Sequence, residues 1–131
     1  GDRGTDSEVL NNPRALLFAK DKNLLSFPVN VMKIDPNSVK DPKILASAYG
    51  SFAFQGAYVY NLDLEKGFQF RGGITHLTQE DLQKAGQYVN PGDKQVQRVL
   101  YIGDTLYTIS NGVIKANDLS TLQEKSSVII P

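Results

Sequence analysis

RVLYIGDTLYTISNGVIKANDLSTL, residues 98–122, sets two turn signals between three short apolar-rich runs. Residues 96–102 read as a strand, Gly103 and Asp104 as a two-residue turn, and 105–110 as the returning strand. Asn111 and Gly112 predict a type I′ hairpin turn, because both central residues of that turn need a positive φ that Asn and Gly tolerate. Residues 113–117 then form a third strand and 126–130 a fourth. The stretch predicts a four-strand antiparallel meander with short links.

Upstream, the same signals return in weaker order. Residues 51–62, SFAFQGAYVYNL, and 68–71, FQFR, place aromatic and β-branched residues at alternate positions around a turn at 64–67. Gly72 and Gly73 predict a bulge or a close backbone approach within the second of these strands. Further back, 15–19 and 24–29 flank the polar 20–23 and read as a hairpin, with Pro28 expected at a strand end or on an edge because it cannot donate to a ladder. Residues 30–50 break the β pattern. Their two Asp-Pro pairs, at Asp35 and at Asp41, mark turns, with one helical turn expected over 43–48. Residues 78–86 predict the one helix, capped by Thr78 with Asp81 in the capping-box position and closed by Gly86.

Two units emerge from a comparison of the halves. GAYVYNLDLEK (56–66) lies against GVIKANDLSTL (112–122): glycine, strand, an Asn with Asp and Leu, then a polar turn. Repeats of this length mark propellers and other arrays. A blade of ~43 residues taken twice, with two inserts of ~20 residues, uses up the chain and leaves no room for a third. The expected organisation is a flexible lead-in over 1–13, a first blade over 14–75 with an insert at 30–50, a helical insert over 76–95, and a second blade over 96–131. The fold class is all-β: two blades of antiparallel four-stranded propeller with one short inserted helix. Because a propeller ring has four or more blades, two alone expose sheet faces and edges, and the expectation is association with a protein partner or a second copy.

Composition narrows the function classes. Fourteen basic and fourteen acidic residues cancel, so no long-range field draws the chain to nucleic acid. The absence of cysteine excludes disulfides, thiolate metal sites and cysteine nucleophiles. No apolar run reaches the ~18 residues of a membrane helix, and no membrane insertion by these residues is expected. The chain opens on Gly1 and Asp2 without a methionine or a signal peptide, and reads as a fragment of a longer protein.

Three stretches carry a family resemblance: NNPRALLFAKDKNLLSFPV (11–29), GAYVYNLDLEKGFQFRGGITHL (56–77) and the 98–122 stretch quoted above. Together they resemble the secreted bacterial and archaeal proteins with a C-terminal β-propeller domain, distantly related to WD-type repeats. The likeness spans roughly residues 12–125 and makes the chain look like the last two blades of that domain. It implies a propeller fold, an extracellular or cell-surface location and no established enzymatic activity. It supplies no catalytic motif, so no catalytic, cofactor-binding or metal residue is assigned.

The residues themselves offer little chemistry. His76 is the only histidine, and a lone histidine just after a strand reads as a hydrogen-bonding core residue, since triads and metal sites need partners. Ser26 and Ser110 read as strand positions. For calcium, Asp35, Pro36 and Asn37, and the run from Asp2 to Asp6, come nearest to a loop site, but turn formation explains these acids better. Tyr58 and Tyr60 share a face, as do Phe68 and Phe70; they read as packed pairs rather than a sugar- or peptide-stacking platform. The leading expectation is a non-enzymatic interaction or scaffold module. The alternatives are a propeller hydrolase or lyase with its catalytic residues elsewhere, and a carbohydrate or peptide binder using the strand aromatics.

Overall fold

The computed structural model describes residues 3–34, 41, 50–85 and 90–131. Two four-stranded antiparallel sheets make up the chain, each in simple meander order. The first holds β1 (Leu17–Ala19), β2 (Leu24–Lys33), β3 (Ser51–Asp63) and β4 (Gly67–Ile74); the second holds β5 (Arg98–Ile102), β6 (Thr105–Ile109), β7 (Val113–Asp118) and β8 (Glu124–Ile129). Helix α1 (Gln79–Ala85) lies in the connection between them. The predicted all-β class and the pair of four-strand units are what the chain adopts.

The tight turns follow from local chemistry. Between β3 and β4, Asp63 Oδ1 accepts the backbone N–H groups of Glu65 and Lys66, and Gly67 takes the positive φ of 76° that ends the loop. After β7, Asp118 Oδ1 accepts from Ser120 and Thr121 in the same way. Repeat matching sets Asp63 opposite Leu119, so the counterpart in role is one residue earlier. Between β5 and β6, Gly103 has φ of 60°, positive at the first central position only, as a type II′ turn requires.

Three expectations need correction. Neither Asn111 nor Gly112 has a positive φ, so the β6–β7 link is not type I′. Ser110 Oγ accepts the Val113 N–H at 3.1 Å instead, and Gly112 N–H donates to Asp93 O at 2.7 Å; a Cβ on Gly112 would stand 3.1 Å from the Asp93 Cβ. The β pattern does not break at residue 30 either. β2 continues to Lys33, paired with Ser51, through a register shift between Val31 and Met32. The expected turn at 35–38 and helical turn at 43–48 lie outside the described residues. Thirdly, the lead-in is pinned where fraying was expected. Asp6 and Asn30 exchange both backbone hydrogen bonds, Ser7 Oγ donates to Pro28 O, and Thr5 Oγ1 bonds the backbone of Met32.

These contacts also place Pro28. It pairs with Ala57 in the middle of β2, but β1 ends opposite Ser26. Pro28 turns its carbonyl, and with it its missing N–H, to the side that only Ser7 covers. The proline is mid-strand in sequence and on a local edge in space.

The core lies between the sheets. Leu24, Ala57, Val59 and Ile74 from the first pack with Val96, Val99, Leu106 and Leu119 from the second. Leu24 and Leu106 are fully buried, each contributing about 1.5–3 kcal/mol of apolar transfer. Three polar ties cross the same interface. Gln55 bonds both backbone groups of Val96, Arg71 donates to Leu119 O at 2.8 Å and to Ser120 O, and the Tyr101 hydroxyl donates to Asp21 at 3.1 Å. Arg71 reaches across because the ladder pairs Val59 with Gly72 and Tyr60 with Phe70, leaving it as the extra residue of a bulge.

In the connection, Thr78 and Asp81 form the expected capping box. Asp81 N–H donates to Thr78 Oγ1 at 3.1 Å and Asp81 Oδ2 accepts Thr78 N–H at 2.8 Å. Gly86, the expected close of the helix, lies outside the described residues.

Candidate functional site

Two places were singled out by sequence: the lone histidine and the strand aromatics. His76 follows β4 and reaches into the second sheet, where it meets Ser110 and Thr108. Its Nδ1 lies 2.7 Å from Ser110 Oγ and its Nε2 lies 2.8 Å from Thr108 Oγ1. All three residues are buried. Burial, and then the neighbouring Lys115 ammonium, push the imidazole pKa down to about 4, so the ring is neutral near pH 7.

A histidine against a serine invites a nucleophilic reading, and the hydrogen bonds decide against it. The Ser110 hydroxyl donates to Val113 O at 3.1 Å. His76 therefore carries its proton on Nδ1 and donates it to Ser110, while Nε2 accepts from Thr108. A nucleophile needs the reverse polarity, with serine giving its proton to the base. The third position, where a triad has a carboxylate, is taken by the Thr108 hydroxyl. The cluster fastens the β4–α1 connection to the second sheet. Ser26 is equally structural: buried in β2, its Oγ donates to Tyr58 O at 2.8 Å.

The aromatics do converge. On the face of the first sheet that points away from the core, the ladder aligns Phe18, Leu25, Tyr60 and Phe70 in one row and sets Phe27 beside Tyr58 in the next. The rings pack edge-on and stacked: Tyr58 with Phe70 at 4.9 Å, Tyr60 with Phe70 at 5.3 Å, and Phe27 with Tyr60 at 5.8 Å. Phe54 joins by stacking on Tyr58 at 5.0 Å. It can do so because Gly56 and Gly73 lie beneath it; a Cβ on either would stand 2.8 Å from its ring. Phe70 is 57% exposed, and Phe18 and Phe68 are exposed as well. The expected sharing of faces holds, and Phe27 and Phe54 enlarge the group beyond what alternation alone indicated.

The second sheet presents an aliphatic counterpart. Opposite its core face lie Leu100 and Tyr107 in one row, Ile109, Ile114 and Val128 in another, with Ile102 at the edge. Leu100, Ile102 and Val128 are exposed. A two-sheet sandwich keeps polar residues on its outer faces. Here both outer faces are apolar, the pattern of layers that sit inside a stack. Among the described residues no three His, Asp or Glu side chains converge as a metal site, and no helix is long and apolar enough to cross a membrane. Asp6, from the expected calcium run, lies against Asn30; Asp35 to Asn37 fall outside the described residues.

The family model for the beta propeller domain matches residues 1–122, and the chain belongs to that family. No curated protein and no solved structure matches it.

Proposed function

We propose that this propeller module is a non-enzymatic scaffold that works by docking its apolar outer sheet faces, above all the aromatic face built from Phe27, Phe54, Tyr58, Tyr60 and Phe70. The observation that carries the reading is the presence of an apolar outer face on each sheet. A four-stranded sheet bearing an aliphatic face, like that around Ile109, Ile114 and Val128, complements the aromatic one in chemistry. A second copy of the chain, or a further blade joined to it, supplies such a sheet. Docking in this sense is head to tail, so it closes into a ring or continues as a chain of modules.

The resemblance to exported propeller proteins supports a setting at the cell surface or in the medium, which fractionation of the producing cells tests. The carbohydrate-binding alternative fares less well, because Phe27 and Phe54 already stack on Tyr60 and Tyr58. Their faces are spent on each other instead of lying open to a sugar.

Sedimentation equilibrium across a concentration series tests the docking. The expected result is association that Phe70→Glu abolishes, with the unfolding transition of the variant kept. Mass at the monomer value throughout, with no binding of an apolar-surface dye, overturns the proposal.

A further inference from the structure

We infer that the cleft between the two sheets at their turn-bearing rim is a binding site for a small oxyanion, a carboxylate or phosphate group held by Lys22 and Arg71. Four turns and strand ends meet there. Lys22 comes from the β1–β2 turn, Asn61 from the end of β3, Asp104 from the β5–β6 turn, and Leu119 and Ser120 from the turn after β7, around a cavity of about 460 Å³.

Charge makes the case. Arg71 is half-buried between the sheets, where a guanidinium ordinarily has a carboxylate partner. Its partners are instead two backbone carbonyls, of Leu119 and Ser120, which leaves three of its five N–H donors uncommitted. Lys22 faces the same cavity and forms no ion pair among the described residues. Two cations without an acid partner line one cleft. The carboxylate that shares it, Asp104, is already bridged by Lys125 at 3.4 Å. The missing counter-charge is an anion from outside the chain. Bonds from a guanidinium or ammonium to an oxyanion are charge-assisted, and the desolvated wall formed by Leu24 and Leu119 strengthens them.

The site is independent of the docking faces. It opens at the rim between the two sheets, so covering their outer faces leaves it accessible.

The test is an amide-resolved NMR titration with sodium phosphate and, separately, sodium acetate, against sodium chloride at matched ionic strength. Saturable shifts at Lys22, Asn61 and Ser120 with either probe, weakened about tenfold or more in Lys22→Met, are expected. Lys22 lies exposed on a turn, so the variant keeps the fold, which its unfolding midpoint verifies. Tighter phosphate identifies a phosphoryl ligand, and acetate at least as tight identifies a carboxylate. Drift no different from chloride, or saturable binding unchanged in Lys22→Met, overturns the inference.

Discussion

The side chain of Gln55 treats the backbone of Val96 as a neighbouring strand would: Nε2 donates to Val96 O at 3.2 Å, and Oε1 accepts Val96 N–H at 3.0 Å. Both residues are buried, so the pair closes the sheet interface where no ladder can. Gln55→Ala strips two buried backbone groups of their partners. The expected loss is about 2–4 kcal/mol in denaturant unfolding, with the slope unchanged. Exchange of the Val96 amide quickens in the same variant. A loss no larger than that of an exposed glutamine would show the clamp to be incidental.

His76 makes stability depend on pH in a window of its own. Burial and Lys115 lower its pKa from 6.5 to about 4 in the folded chain. Between those values the unfolded chain binds a proton that the folded chain refuses. The contribution is therefore complete above pH 6.5 and is lost as pH falls toward 4, roughly 3 kcal/mol in all. The depressed carboxylates Asp81 and Asp118, with pKa of about 2, act only below that range. His76→Gln keeps an amide able to donate to Ser110 and accept from Thr108. It is expected to flatten the pH dependence of unfolding between 6.5 and 4. A variant with the wild-type slope there would remove His76 from the account.

Much of the architecture was legible because the cues that make it are local. The strand runs, the capping box and the alternation of Tyr58 and Tyr60 depend on residues a few positions apart. Where the reading failed, a distant partner decided. Asn111 and Gly112 are a strong hairpin signal by themselves, yet Asp93 draws the Gly112 amide and the Ser110 side chain takes over the turn. Pro28 is tolerated mid-strand because β1 is short and the 5–7 segment reaches only one carbonyl there. Gln55 and Arg71 carried no signal at all. Each is a polar residue in a strand pattern, and its role comes from a backbone 41 or 48 residues away.

Glycine tolerance separates packing from conformation. A Cβ on Gly56 would stand 2.1 Å from Ile74 O, a backbone atom of the paired strand β4. Gly56→Ala must part β3 from β4 and disturb the seat of Phe54. A loss above about 4 kcal/mol, or failure to fold, is expected. Gly67 has open space around it and only its φ of 76° to satisfy. Gly67→Ala is expected to cost about 1 kcal/mol. Equal losses at the two positions would contradict the packing argument.

The capping box of α1 is joined to the rest of the molecule by one ion pair, and the two can be separated. Lys94 Nζ lies 2.6 Å from Asp81 Oδ2, the oxygen that also accepts the Thr78 N–H. The hydrogen bond from Lys94 is the largest cause of the low Asp81 pKa, followed by those from Thr78. Lys94→Met therefore raises the Asp81 midpoint toward 3.8, read by NMR titration of the carboxyl carbon, while the Thr78 bonds keep the helix start in place. Thr78→Ala also raises it, and in addition removes the acceptor for the Asp81 amide. A helix of two turns has little propensity to hold it, so this change is expected to cost about 1 kcal/mol and to expose the α1 amides to exchange. High salt weakens the Lys94 contribution, since both partners are about one-third exposed, and leaves the Thr78 contribution intact. If salt moved both variants alike, ion pair and cap would be one unit instead of two.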